Sequence, residues 1–140
     1  MKIIQYCQHV LGIGHLFRSL EICRSLSDHE VILVTGGPRV DTNLPAHVRE
    51  VRLPDLQMNQ EFKGLFSSRK NFNLDQIKEL RQRRFFNLFE KEKPDVFLVE
   101  LYPFGRKAFR FELDPVLQAI GDKRSRTSVS WAICSRSCPP

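Results

Sequence analysis

The sequence has no long apolar stretch. No run approaches the ~20 apolar residues that a membrane-spanning helix needs. The apolar run in residues 1–10, "MKIIQYCQHV", is too short for the hydrophobic core of a secretion signal. We therefore expect a soluble cytoplasmic protein, with peripheral contact at the inner face of a membrane left open.

Cysteine is scarce, and its spacing does not fit a metal site. Three residues separate Cys134 from Cys138, and no histidine lies near them in the sequence. Cys7 and Cys23 fall in a predicted strand and a predicted helix, where a free cysteine acts as a small buried hydrophobe. The sequence therefore indicates a reducing compartment and predicts no metal site.

Two well-known phosphate-binding loops are also missing. A P-loop requires Gly-Lys-Ser/Thr, which the chain does not contain. The dinucleotide fingerprint requires a third glycine, where this chain has Phe17. It also requires an acidic residue at the end of the second strand, where the chain has Thr35-Gly36-Gly37. We therefore expect neither class of nucleotide binder and no resident cofactor.

The size and charge of the chain set broader limits. Its 140 residues suit one domain with a substantial core. The net charge of +6 favours anionic partners such as phosphates, anionic lipid headgroups or nucleic acid, without selecting one. Part of this charge lies in residues 78–84, "KELRQRR", which a solvated helix face explains more simply than a binding patch does.

Strands and helices alternate along the chain. The predicted elements, in order, are the strand "KIIQYC", a helix with Leu16, Leu20 and Cys23 on its apolar side, the strands "EVILVTGG" and "VREVRLP", a helix from Asn73 to about Lys93, the buried strand "DVFLVEL", and a helix starting at "GRKAFRF" and interrupted at Asp114-Pro115. This order predicts an α/β domain with a doubly wound parallel sheet.

Two segments of the sequence allow more specific predictions. Asn73 and Gln76 have the spacing of a capping box, and Ile77, Leu80, Arg84 and Leu88, with Phe85 and Phe89 beside them, mark the face of the helix that follows. Residues 55–72 have no clear period and predict a long loop with apolar content, of the kind that often serves as a lid.

The last residues differ in composition from the rest. Residues 122–140 are rich in serine, arginine and cysteine, with one predicted strand, "SVSWAIC". We therefore divide the chain into a domain over 1–121 and an atypical tail over 122–140. On composition alone, we expect a truncated domain, with a tail from an altered reading frame.

The glycine loop after the first strand carries the strongest functional signal. In open α/β sheets, ligands bind beyond the carboxyl ends of the strands, where Gly12 and Gly14 would let the backbone approach them. The helix that follows would favour an anion at its N-terminus by ~0.3–1 kcal/mol. His15 suits general-base chemistry, and Arg18 follows it by one turn. A plain strand-to-helix turn explains the glycines about equally well, and a structural hydrogen bond at the start of a helix explains His15 alone more simply than catalysis does.

The stretch "GIGHLFRSLEICRSL" resembles the G-x-G-H-x-x-R start of GT-B glycosyltransferases. The likeness is strongest to those like family 28, which include the peptidoglycan N-acetylglucosaminyl transferase, the galactolipid synthases and a group of predicted glycosyl transferases. The later segments "FKGLFS" and "VELYPFGRKAFRFELDPVL" resemble that last group. The resemblance covers roughly residues 1 to 120.

The resemblance implies a truncated, Rossmann-like N-terminal domain on the acceptor side of such an enzyme. It implies that a second domain binds the nucleotide-sugar donor, that His15 is the base, and that Gly12, Gly14 and Arg18 contact acceptor or phosphate. Metal is not usually required for catalysis in this fold. The implied partners are a nucleotide-sugar and a hydroxyl acceptor, including a lipid-linked one. Because this chain lacks the donor domain, we expect no turnover from it alone.

Two further residues are candidates. Glu100 ends a predicted buried strand, where it could bind a sugar hydroxyl or pair with Arg18 or Arg106; a solvated or capping glutamate remains the alternative. Arg106 starts a predicted helix and could contact phosphate, although an ordinary surface arginine explains it more simply.

The sequence thus predicts a fragment of a glycosyltransferase that moves a sugar from a nucleotide-diphosphate donor to an acceptor hydroxyl. The alternative is a non-catalytic anion- or nucleic-acid-binding domain that uses the basic run at 78–84. The sequence contains no aromatic stacking platform with an RNA-binding signature, which counts against nucleic acid. The oligomeric state stays open.

Overall fold

The computed structural model describes residues 1–10, 12–58, 64–67, 70–100, 102 and 107–122, and the backbone of 128–132. The strands are β1 (Lys2–Tyr6), β2 (Glu30–Thr35), β3 (Val48–Arg52), β4 (Gln57–Met58), β5 (Leu65–Phe66), β6 (Val96–Glu100) and β7 (Ser128–Ala132). The helices are α1 (Gly14–Ser25), α2 (Leu74–Glu92) and α3 (Arg110–Gly121), and a 3₁₀ turn spans Lys107–Phe109.

The main sheet confirms the predicted parallel, doubly wound arrangement. Its strand order is β3-β2-β1-β6-β7, and each adjacent pair is parallel. The chain moves outward from β1 to β3, then returns to the other side of β1 with β6. The order of the strands therefore reverses between β1 and β6, which is the place where ligands bind in this kind of sheet.

Helices cover both faces of the sheet. On one face, α1 buries Leu16, Leu20 and Cys23 against β1 and β2, as predicted. On the other face, α2 and α3 pack over an aromatic cluster that includes Tyr6 and Phe97. The domain is therefore Rossmann-like, with one apolar layer on each side of the sheet.

The two cysteines of the predicted elements are buried, as expected. Cys7 follows β1, and Cys23 lies on the inner side of α1. Burial, reinforced by the neighbouring Cys7, raises the pKa of the Cys23 thiol to about 12. A thiol of this kind is a packing residue and a poor nucleophile at neutral pH.

Helix α2 begins as predicted, and its buried face holds the predicted Ile77, Phe85 and Phe89 together with Arg81, which was not predicted there. The capping box is present, with Asn73 Oδ1 accepting the Gln76 N–H at 2.8 Å, and the helix ends at Lys93 in a left-handed conformation. Of the predicted positions, Leu80 and Leu88 are half-buried, and Leu88 packs against the core; Arg84 is exposed, so that position is wrong. The buried residues are spaced four apart: Ile77, Arg81, Phe85 and Phe89.

Three other predictions are corrected or extended by the structure. The aperiodic segment 55–72 contains a short antiparallel pair, β4 with β5, so it is not loop throughout. Helix α3 runs without interruption through Pro115, and Leu113 and Val116 on either side of it are fully buried. The strand expected in the tail is present as β7, beside β6. The division at residue 121 stays a prediction.

Arg81 can be buried because Glu112 of α3 faces it. The guanidinium donates from Nε to Glu112 Oε2 at 2.8 Å and from Nη2 to Glu112 Oε1 at 2.7 Å, and both side chains are fully buried. The Tyr6 hydroxyl donates to the same carboxylate. Burial alone would lower the pKa of Arg81, but the charge and hydrogen bonds of Glu112 outweigh it, and the pKa is raised.

The same guanidinium also holds the loops at the carboxyl edge of the sheet. Arg81 donates to Gln8 Oε1 at 2.7 Å, to the Gly36 carbonyl at 3.3 Å and to the Pro54 carbonyl. These three residues follow β1, β2 and β3. A Cβ at Gly36 would collide with the Arg81 guanidinium, which explains the glycine there. One cation of the 78–84 run is therefore part of the core.

Replacing Arg81 should be severely destabilising. Arg81→Met leaves the Glu112 carboxylate buried without its cation, and we expect a loss of about 3–5 kcal/mol in the free energy of unfolding. Arg83→Met, an exposed position on the same helix, should change it by less than about 0.5 kcal/mol. Urea unfolding followed by circular dichroism measures both; equal effects would contradict the structural role.

The two tyrosines give a pH dependence. Burial and the Glu112 charge raise the pKa of Tyr6 well above its ordinary value, and burial and a hydrogen bond to Asp114 raise that of Tyr102. The unfolded chain loses these protons near pH 10, at the ordinary pKa. Stability should therefore be full below about pH 10 and fall as the pH rises above it.

Tyrosinate absorbance tests this directly. The titration midpoint should lie near pH 10 in urea and higher in the native protein, and Tyr102→Phe isolates the contribution of Tyr6. The same midpoint in both states would show that the burial of these phenols has no effect on their ionisation.

Candidate functional site

The candidate site lies where β1 passes into α1. Gly12 adopts a left-handed backbone with φ of 73°, which glycine tolerates best. Gly14 is the first residue of α1, and His15 is the second. The bend therefore delivers His15 to the carboxyl edge of the sheet, beside the point where the strand order reverses.

Glu100 arrives at the same point from a different part of the chain. It is the last residue of β6, whose parallel register with β1 pairs Val99 with Tyr6. Its Oε2 atom lies 3.3 Å from Nδ1 of His15, and its side chain is only 5% exposed. The pairing of two strands distant in sequence thus sets a carboxylate against the imidazole.

Arg18 completes the cluster from the next turn of α1. Its Nη1 donates to Oε1 of Glu100, so the two carboxylate oxygens serve two different partners. The Arg18 side chain is 43% exposed and that of His15 is 30% exposed, whereas Glu100 is buried beneath them. The structure therefore brings together three of the residues singled out from the sequence.

This geometry decides how the imidazole can act. An ionised carboxylate only accepts hydrogen bonds, so the proton of a neutral His15 belongs on Nδ1. Nε2 then carries the lone pair and can take a proton from a nearby hydroxyl. When it does, the adjacent carboxylate stabilises the imidazolium. A histidine and a carboxylate placed in this way can act as a general base with an orienting partner.

The remaining predicted site residues are the two loop glycines, Gly12 and Gly14, and Arg106. A Cβ at Gly12 or Gly14 would meet no atom within 4 Å, so the backbone at this bend borders open space. In the described part of the chain, α1 has neither a side-chain cap nor an acidic residue in its first turn. Both features suit an approaching anion. Arg106 lies outside the described residues.

A second histidine near this edge was missed by the sequence reasoning. His9 follows β1 and is almost fully buried, with Nε2 2.6 Å from the Pro38 carbonyl. A Cβ at Gly37 would collide with the His9 backbone, so the Gly36-Gly37 turn is packed against this residue. The polar pair Gln8-His9 between a buried strand and a glycine loop was the signal available in the sequence.

Within the described residues, His, Cys, Asp and Glu side chains form no group of three or more that could hold a metal ion. Over the same residues, no helix combines the length and apolar character needed to cross a membrane.

Comparison with known proteins shows the fold. No protein-family model matches the sequence, and no curated protein matches it. SsfS6, a glycosyltransferase of Streptomyces sp. SF2575, is similar in structure, with 17% identity and a TM-score of 0.54 over 94% of this chain and 38% of that one. UGT2 of Phytolacca americana, complexed with UDP-2-fluoro-glucose and pterostilbene, has 14% identity and a TM-score of 0.51 over 93% of this chain.

These likenesses define the class of fold and leave the activity open. The chain spans only 30% of the Phytolacca enzyme. The C-terminal domain of the PF1911 hydrogenase from Pyrococcus furiosus is as similar, with 14% identity, a TM-score of 0.54, and 92% of this chain and 89% of that one covered. The chain is thus a Rossmann-like α/β domain that shares its fold with glycosyltransferases and with at least one other kind of protein.

Substitutions at Gly12 and Gly14 should show whether the bend depends on the left-handed backbone conformation of Gly12. Gly12→Ala places a Cβ on a left-handed residue and should cost about 1–2 kcal/mol in the free energy of unfolding. Gly14→Ala, on ordinary helical backbone, should cost nothing or stabilise the protein. Urea unfolding of both variants measures the difference. Equal losses would show that the bend does not depend on the left-handed conformation of Gly12.

Proposed function

We propose that this chain is the acceptor-side domain of a GT-B glycosyltransferase of the family 28-like group, which moves a sugar from a nucleotide-diphosphate donor to a hydroxyl. The observation that carries the proposal is the contact of His15 with Glu100 at the reversal point of the sheet. The structural likeness to two glycosyltransferases and the G-x-G-H-x-x-R start support it.

In the proposed reaction, Nε2 of His15 takes the proton of the acceptor hydroxyl. The acceptor oxygen forms a bond to the anomeric carbon of the sugar as the bond from that carbon to the diphosphate oxygen breaks. The nucleoside diphosphate leaves with the electron pair of the broken bond. Glu100 stabilises the imidazolium that forms, and a positioned base of this kind contributes typically 10²–10⁴-fold to a rate.

The anionic groups of the substrates would lie on the positive side of the site. Arg18 keeps part of its guanidinium exposed, and α1 presents the N-terminal end of its dipole at Gly14. Gly12 leaves room for a ligand against the backbone. Arg106 is proposed as a further phosphate contact. The donor's diphosphate would depend mainly on a second domain, and no metal is required by this scheme.

The alternative of a nucleic-acid-binding domain has less support. Its candidate surface was the basic run at 78–84, but Arg81 of that run is fully buried and neutralised by Glu112. The remaining cations of the run fit the solvated helix face expected from the sequence.

The catalytic role of His15 is tested in a chain that contains both this domain and a donor-binding domain. His15→Gln should lower the rate of sugar transfer by about 10²–10⁴-fold, because the base is lost. His47→Gln, at the amino end of β3, is the matched control and should keep full activity. Circular dichroism should show intact folding in both. Full activity of His15→Gln would refute the assignment of the base.

Binding to the 140-residue chain separates the two functions. UDP-2-fluoro-glucose and pterostilbene, the two ligands of the Phytolacca enzyme, are the probes, and binding of either should shift the amide NMR signals of residues 12–18. A DNA oligonucleotide should not. Oligonucleotide binding that weakens steeply with salt, without any response to the sugar nucleotide or the phenol, would favour the alternative.

A further inference from the structure

The Glu100 carboxylate has two hydrogen-bond partners, the guanidinium of Arg18 and the imidazole of His15. Oε2 faces Nδ1 of His15 at 3.3 Å, while Oε1 accepts from Nη1 of Arg18. A guanidinium keeps its charge at all ordinary pH values, whereas an imidazole gains its charge only on protonation. Before His15 takes up a proton, the charge of Glu100 is therefore already partly compensated.

We propose that Arg18 is a positioning residue that acts on His15 through Glu100: it fixes one carboxylate oxygen, leaves the other for the imidazole, and limits the basicity of His15. The inference rests on the proposed function only in taking His15 as the base. It differs from the direct anion contact expected from the sequence, because it assigns Arg18 an effect within the domain when no substrate is bound.

The contacts around His15 indicate that Arg18 acts on its imidazole through Glu100. Nδ1 of His15 faces Glu100 at the end of β6, and the Cys7 thiol after β1 lies 3.6 Å from the His15 carbonyl. Arg18, on the same helix as His15, donates to Glu100. Among the described residues, Glu100 is the charged group in contact with the imidazole, and its burial keeps water from screening it. A change in the charge balance of Glu100 is therefore transmitted directly to His15.

The sign of the effect follows from electrostatics. Without Arg18, the buried carboxylate has His15 as its described partner and favours the charged imidazolium more strongly, so the pKa of His15 rises. Without the carboxylate charge, the imidazolium loses its stabilisation, and the pKa of His15 falls. Because Arg18 is partly exposed, solvent weakens its influence, so the direction of the change is the quantity that the experiment tests.

NMR titration of the histidine ring signals in the full 140-residue chain tests the proposal. Arg18→Met should raise the pKa of His15, Glu100→Gln should lower it, and Arg18→Lys should restore a value near that of the wild type. Arg24→Met is the matched control: Arg24 lies on the same helix and pairs with the exposed Glu21, so the variant removes the same charge without touching Glu100. It should leave the pKa of His15 unchanged.

Two outcomes would overturn the inference. One is a pKa of His15 that is unchanged or lower in Arg18→Met; the other is an equal rise in Arg24→Met, which would indicate a general charge effect. Should Arg18→Met fail to fold, Arg18→Gln makes the same test, because it removes the charge and keeps a hydrogen-bond donor.

The titration of His15 tests the role of Arg18 independently of the proposed glycosyltransferase activity. The ring titration requires no sugar transfer, so a raised pKa in Arg18→Met would support the inference even in a protein without transferase activity. In an active two-domain chain, the acidic limb of the pH profile of kcat/KM should move to higher pH in Arg18→Met. An increase in KM for the donor, with no change in the pKa of His15, would instead identify Arg18 as a substrate contact alone.

Discussion

The parallel pairing of β1 with β6 is the constraint on which the candidate site depends. These strands are more than ninety residues apart in the chain, yet their register places Tyr6 beside Val99. The residues that follow each strand therefore meet at one edge of the sheet. Without this pairing, the imidazole of His15 and the carboxylate of Glu100 would have no reason to lie within 3.3 Å of each other.

A buried ion pair stabilises the same edge from below. Arg81 and Glu112 join α2 to α3, and Arg81 also binds the backbone or side chains that follow β1, β2 and β3. An ion pair of this kind contributes modestly to net stability, but it is costly to break, because either charge alone would remain buried. It therefore fixes where the helices lie relative to the loops of the site.

The sequence reasoning succeeded and failed for identifiable physical reasons. It found the strands, the start of α2 and the apolar side of α1, because these follow from local patterns: continuous apolar runs, the Asn73 and Gln76 capping pair, and helical spacing. It left Arg81 out of the inner face of α2, because a charged residue is expected outside. Only the opposing Glu112, thirty-one residues further along, makes burial of Arg81 favourable.

The sequence by itself determined the class of fold and which residue types stand at the ends of β1 and β6, because strand periodicity and the glycine loop are local properties of the chain. Only the tertiary structure decided that His15 and Arg18 share the carboxylate of Glu100. It also decided that His9 is packed beneath the Gly36-Gly37 turn and that Arg81 lies in the core. Each of these contacts joins elements distant in sequence. Their geometry is set by strand order and helix packing, which local patterns do not specify.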